Sequence, residues 1–336
     1  LAGVVVLASL LGPISASGIW DPHELKVADL ARRIALNLLG GANLALEDSV
    51  NTVPTLGELS RGQLPFTSVA VGFRLFGLQE WAGRLPLALW GVLGVLALYA
   101  LLSRLADRAT GAFGALALAT MPLYFVQSRT ILGDIVTMAA ISIATAGLAL
   151  AVFDRAGPGE DAKRRSLLRA LCLVVGVVGL GAGFGSRGLW IGVVVPTVGV
   201  GLAWLAALGS GTRTRDRLGD AFGAAALAIG LGAVAIGITA LRKASADPKD
   251  FSMLIGAANE KPRQLPTVDY VVHYLGHGLF PWSALLPFAI GRLLAPPHGV
   301  AGAALERETG LRATVLLVAA VGFGVFGMLA PYTGHI

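Results

Sequence analysis

Residues 83–102 read GRLPLALWGVLGVLALYALL, and this stretch decides the class of the whole chain. At 1.5 Å per residue a helix of that length reaches about 30 Å, the thickness of a bilayer's hydrocarbon core. After Arg84 no charge occurs until Arg104. Comparable apolar blocks lie at 1–18, 110–127, 135–153, 168–185, 189–209, 219–241, 270–291 and 312–332. The expected fold is therefore all-α: a polytopic integral membrane protein of about nine transmembrane helices.

Composition agrees. Charged residues are 14% and hydrophobic residues 55% of the chain, with a mean hydropathy of +0.73; soluble domains carry roughly 25% charge. The 45 glycines have no three-residue period, which excludes a collagen-like chain, and suit close helix packing in lipid. The net charge of +6 sits between apolar blocks, so nucleic acid is not an expected partner. Cys172 is the sole cysteine, which excludes an intrachain disulfide and a Cys-based metal site. Leu1 already lies in an apolar run, so the natural N-terminus is expected upstream.

The loops orient the spans. Arg104 and Arg108 form one basic loop; Arg155, Lys163, Arg164, Arg165 and Arg169 a second; Arg213, Arg215 and Arg217 a third; Arg292, Arg307 and Arg312 a fourth. They alternate along the chain, and the positive-inside rule makes their side cytoplasmic. Residues 19–82 then form a first external loop and 242–269 another, within a single transmembrane domain over 1–336. In the first loop, Glu24 to Leu39 repeats apolar residues at helical spacing among Lys26, Asp29, Arg32 and Arg33, which predicts an amphipathic helix on the membrane surface. A second piece, Leu64 to Leu78, is short for a span and is also placed in the interface. Counting it as a span would invert every later loop.

With this topology, ionisable residues beside the apolar blocks gather on the outer face: Asp21, His23, Glu24, Arg61, Arg129, Asp134 and Arg187, with Lys249, Lys261 and Arg263 in the later loop. Charges at membrane depth are costly and mark functional sites. Arginines there suit a lipid-linked phosphate, and a carboxylate or imidazole suits proton removal from an acceptor. Each also has a plainer role. Arg129 and Arg187 fit headgroup anchoring, Asp134 fits an N-cap, and the acids near Asp21 fit the start of a helix. Gly183 to Gly188 matches G-x-G-x-x-G but has no strand before it, so a dinucleotide site is excluded. His273 and His277 share a helical face without a third ligand, so a packed pair is preferred to zinc. A divalent cation is permitted near phosphate, yet no ligand set demands a metal or other cofactor.

In order along the chain, Pro22 to Arg33, Ser60-Arg61-Gly62-Gln63-Leu64, Phe73-Arg74-Leu75-Phe76-Gly77, Arg84-Leu85-Pro86, Arg129 with Asp134, Ser186-Arg187-Gly188 and Phe280-Pro281-Trp282 resemble motifs of the C-type glycosyltransferase superfamily (GT-C). The closest likeness is to its protein O-mannosyltransferase and aminoarabinose transferase branch. The resemblance implies transfer of a sugar, with inversion, from a polyprenyl-phosphate donor to a lipid, glycan or protein acceptor outside the cytoplasm, here at a bacterial inner membrane. It implies Asp134 as the second active-site acid, and Arg61 and Arg187 in place of family lysines on the donor phosphate, with Arg129 nearby. His23 stands where the family has its catalytic aspartate, with Glu24 beside it. Three readings stay open: an imidazole base, a carboxylate from Asp21 or Glu24, or an inactive site. Family members also continue past the point matching Ile336, so the chain is expected to be a piece of a longer one. A non-catalytic lipid-phosphate scaffold or transporter is the alternative; almost no ionisable residue lies in mid-span, which disfavours transport.

Overall fold

Apolar runs become helices here because lipid offers backbone N–H and C=O groups no other partner. The computed structural model describes residues 2–12, 14, 18–19, 22–47, 49–59, 62–155, 161–211, 216–244, 276, 278–295 and 302–333, and every regular element among them is helical. In order these are α1 (Ala2–Leu11), α2 (His23–Leu38), α3 (Leu56–Leu59), α4 (Leu64–Phe76), α5 (Glu80–Leu105), α6 (Arg108–Thr120), α7 (Pro122–Arg129) and α8 (Asp134–Phe153). After them come α9 (Ala162–Leu189), a π-helical turn (Trp190–Val194), α10 (Val195–Gly209), α11 (Arg217–Ala244), α12 (Leu286–Leu294) and α13 (Gly302–Thr333).

Five helical runs are long and apolar enough to cross a membrane: Glu80–Leu105, Asp134–Phe153, Lys163–Gly209, Arg217–Ala240 and Gly302–Leu329. The third is not one rod. Arg187 (φ −140°) and Gly188 (φ 71°) leave helical geometry, and a Cβ on Gly183 would lie 2.6 Å from the Gly192 carbonyl oxygen. A straight helix would hold those residues about 13 Å apart. The run is a hairpin, and its two arms are the expected blocks 168–185 and 189–209.

Three expected spans differ. The block 110–127 is broken by a 65° bend between α6 and α7, because Met121 precedes Pro122 and is held extended (ψ 125°). The first block forms only the ten residues of α1. Of 270–291, residues 270–275 lie outside the described residues, and the described part ends in a 3₁₀ turn (Trp282–Leu285) leading into α12. The external loop 242–269 is described only to residue 244.

α8 is the axis of the bundle. Its apolar window is 72% buried, against 22–33% for the other four candidate spans. It packs on α5, α9, α10, α11 and α13. Small residues permit this: a Cβ on Gly147 would stand 2.4 Å from the Gly176 backbone nitrogen of α9. The outer faces of α9 and α11 expose Leu167, Leu171, Val174, Val178, Leu231 and Ile236. Such a surface is costly in water and is ordinary where lipid covers it.

α2 departs from the expected surface helix. Its apolar face is buried on α4 as the pattern requires, but Arg32 and Arg33 are also buried, at 3% and 5% exposure. The following loop folds over them. Arg32 donates to the Leu44 and Val50 carbonyls and to Asn51 Oδ1. Arg33 donates to the Thr52 carbonyl and pairs with Glu58 at 2.8 Å. That arginine, with the Thr55 amide and hydroxyl, lowers the Glu58 pKa from 4.5 to about 2.

Two outcomes follow. Gly147→Val should force α8 and α9 apart and lower the thermal midpoint in detergent by several degrees, since overpacking costs about 1–3 kcal/mol. A carboxylate whose folded pKa is depressed contributes above its unfolded pKa and loses that contribution as pH falls through the folded value. Pepsin should therefore spare the 49–59 segment at pH about 3 and cut it below about 2, whereas Glu58→Gln should be cut at both.

Candidate active site

Glu24 lies in the first turn of α2, where the helix dipole favours an acid. It is fully buried and Arg84 of α5 is 1% exposed. Arg84 Nη2 donates to Glu24 Oε2 at 2.9 Å. Burying an ion pair is tolerable only where further hydrogen bonds satisfy both groups. Here Glu24 Oε1 accepts the Ile131 amide at 2.6 Å, and Arg84 donates to the Ile14 and Gly18 carbonyls at 2.9 Å each. One pair thus joins the segment after α1, the start of α2, the start of α5 and the α7–α8 turn.

That turn delivers Asp134. Gly133 takes a left-handed conformation (φ 84°) and caps α8 without any side-chain bond, so Asp134 is the first helical residue and not the N-cap. Its carboxylate meets Arg187 instead, Oδ1 to Nη2 at 3.1 Å, with side-chain exposures of 22% and 8%. Arg187 is aimed by the hairpin turn, whose Gly188 has the positive φ that side chains avoid. The start of α4 wedges between the two turns. The Gly62 amide donates to the Ser186 carbonyl at 3.1 Å, and Pro65 packs against Gly133.

Of the residues expected at the site, Asp134 and Arg187 are in contact, and Glu24 is tied to the same turn three residues before Asp134. His23 is exposed at the head of α2. Arg129 ends α7 and turns toward α1, donating to the Ser9 carbonyl at 3.2 Å with its guanidinium 4.9 Å from the Phe125 ring centroid. Asp21, Arg61, Lys249, Lys261, Arg263, His273 and His277 lie outside the described residues. Trp282 donates to Thr120 at the end of α6, away from the Asp134–Arg187 pair. Arg84 was read from sequence only as a motif position, not as a buried counter-ion. The signal was there, since an arginine within an apolar helix needs a partner. No group of three or more His, Cys, Asp or Glu among the described residues is placed to hold a metal.

The arrangement offers a partly exposed carboxylate and a guanidinium at one end of the bundle, braced from behind by a buried ion pair. A base beside an anion-binding group suits transfer from a phosphate leaving group.

The comparisons bear on this geometry. A family model described as dolichyl-phosphate-mannose-protein mannosyltransferase matches residues 64–236, more than half of the chain. No curated protein sequence matches. Among solved structures, ArnT from Cupriavidus metallidurans bound to undecaprenyl phosphate is similar at 19% identity and a TM-score of 0.60, over 96% of this chain and 59% of that one. The same protein in the apo state gives 18% identity, a TM-score of 0.60, and 96% and 58% coverage. The chain thus spans under three fifths of ArnT's length, and at these identities the likeness is one of fold. By the family match and the shared fold, the chain is an integral membrane protein that belongs to the dolichyl-phosphate-mannose-protein mannosyltransferase family of the GT-C superfamily.

Proposed function

We propose that this chain carries the active site of a polyprenyl-phosphate-dependent glycosyltransferase, acting on a lipid, glycan or protein acceptor at the non-cytoplasmic face, in a bacterial inner membrane. The observation that carries it is the Asp134–Arg187 pair, partly open to solvent and set where the α7–α8 turn, the hairpin turn after Gly185 and the start of α4 meet. The solved structure of ArnT with undecaprenyl phosphate supports a carrier of that kind for this fold. The face is inferred from loop charge: Asp134 opens α8, and basic loops flank that helix's far end.

In this reading the acceptor O–H or N–H attacks the sugar C1, and the bond from C1 to the phosphate oxygen breaks. The electron pair leaves with polyprenyl phosphate, and Asp134 takes the acceptor proton. The phosphate gains charge as it departs, and Arg187, with Arg61, neutralises it. A guanidinium has five donors, enough to serve a carboxylate and a phosphate together. Of the α2 candidates His23 is exposed and fits a second base, whereas Glu24 is enclosed and acts as a positioning residue; Asp21 remains a candidate by sequence alone. Arg129 acts at the α1 junction.

Asp134→Asn should cut release of free polyprenyl phosphate from a sugar-charged polyprenyl-phosphate donor by about 10²–10⁴-fold, with the thermal midpoint preserved. Undiminished release by that variant would sink the assignment, and absence of release by the wild-type protein would favour an inactive, lipid-phosphate-binding relative.

Glu24→Gln leaves Arg84 charged in a buried site and should lower stability by about 3–5 kcal/mol. Glu24→Gln with Arg84→Met should recover part of that loss in a thermal-unfolding assay. If Glu24→Gln instead kept full stability and lost only turnover, Glu24 would be a reacting group.

A further inference from the structure

The end of the bundle away from Asp134 holds a second polar feature. Asp134 opens α8 and Asp154 follows its last residue, so the two lie about 30 Å apart along one helix. Beside Asp154 is a cleft of about 890 Å³, lined by Arg104, Arg108, Arg165, Arg292, Arg307 and Arg312 together with Asp107 and Glu308. Six cations thus face two carboxylates.

Topology alone puts arginines at this end; it does not make residues of five helices, α5, α6, α9, α12 and α13, converge on one cavity. Two of the six are engaged: Arg165 grips both oxygens of Asp154 at 3.0 Å, and Arg312 bonds Glu308 and the Ala295 carbonyl. Arg104, Arg108, Arg292 and Arg307 make no ion pair or side-chain hydrogen bond among the described residues. Concentrating like charges around a cavity is unfavourable unless an anion occupies it.

The walls indicate that the anion is borne on a lipid. Tyr99 and Ser103 of α5 line the cleft. About one, two and three turns back from Tyr99 along α5, Leu96, Leu93 and Leu89 are 54%, 46% and 49% exposed. An apolar track therefore leads from the lipid-facing surface of a candidate span into the basic cavity. Across the cleft, α12 supplies Arg292 and Leu293 while exposing Phe288 (77%) and Leu294 (69%). A free phosphate would use the arginines and leave this track without purpose.

We propose that this cleft binds the phosphate headgroup of an anionic glycerophospholipid, with its acyl chains along α5. The site is separate from the Asp134–Arg187 pair and does not depend on the reaction proposed for it.

Phosphatidylglycerol is the probe, with phosphatidylcholine and inorganic phosphate as comparison arms, read by native mass spectrometry of the purified protein. Wild-type protein should retain phosphatidylglycerol over phosphatidylcholine, and millimolar inorganic phosphate should not displace it. Each cation near a headgroup contributes about 1 kcal/mol, so Arg104→Gln/Arg108→Gln/Arg307→Gln should weaken retention about a hundred-fold. A matched variant, Lys163→Gln/Arg164→Gln/Arg217→Gln, removes the same charge from exposed positions near the same end but outside the cleft, and should retain the lipid. Equal weakening in both variants would reduce the effect to surface charge and overturn the proposal. So would equal retention of the two lipids, or displacement by inorganic phosphate. Thermal midpoints measured in phosphatidylcholine confirm that both variants are folded.

Discussion

The buried pair of Glu24 and Arg84 is the constraint on which the candidate site depends. Two opposite charges removed from water are stable only if nearly every donor and acceptor is used. Each partner reaches beyond the other, Glu24 to the Ile131 amide and Arg84 to two carbonyls of the segment after α1. A pair held from both sides in this way has one geometry. It fixes where α2 starts and where the turn before α8 lies, and therefore where the first residue of α8 places its carboxylate.

α8 carries that information across the molecule. Its N-terminus presents Asp134 to the positive end of the helix dipole, a favourable place for an anion. Its C-terminus meets Asp154, where the dipole opposes a carboxylate and burial pushes the pKa up; Arg165, Arg104 and Arg307 offset that cost. The arginine-rich end is thus partly a structural answer to one acid at the wrong end of a helix. The same three cations, joined by Arg108, Arg292 and Arg312, line the cleft. The close approach of α8 and α9 at Gly147 and Gly176 keeps both ends in register.

Much of this was legible because lipid permits so few solutions. The blocks at 83–102, 135–153 and 219–241 are helices near their expected bounds, the block 312–332 lies inside a helix that already begins at Gly302, and Gly185-Ser186-Arg187-Gly188 is the expected turn. The bend at Met121-Pro122 carried its signal in the proline, but the apolar composition around it reads as one span. The burial of Arg32 and Arg33 had no such signal. Their partners in the irregular loop include the Leu44, Val50 and Thr52 carbonyls, and carbonyls have no sequence signature. A charged stripe on an amphipathic helix looks the same whether water or a loop covers it. At the site, Asp134 and Arg187 were read as neighbours by motif order, while the roles of Glu24 and Arg84 needed the geometry.

The two ion pairs near the site have the same chemistry and differ in how far their acids are enclosed. Glu24 and Arg84, at 0% and 1% exposure, cannot part without leaving a charge stranded, which fits them to brace the site in the proposed reaction. Asp134, at 22%, stands closer to solvent than its buried partner Arg187, at 8%, and solvent on that side screens the pair toward the roughly 1 kcal/mol or less of exposed pairs. A pair that weak can be opened by a phosphate competing for the guanidinium, and the carboxylate it releases is then available to a proton. In the proposed reaction, water exposure rather than residue type gives Glu24 the bracing role and Asp134 the reacting one.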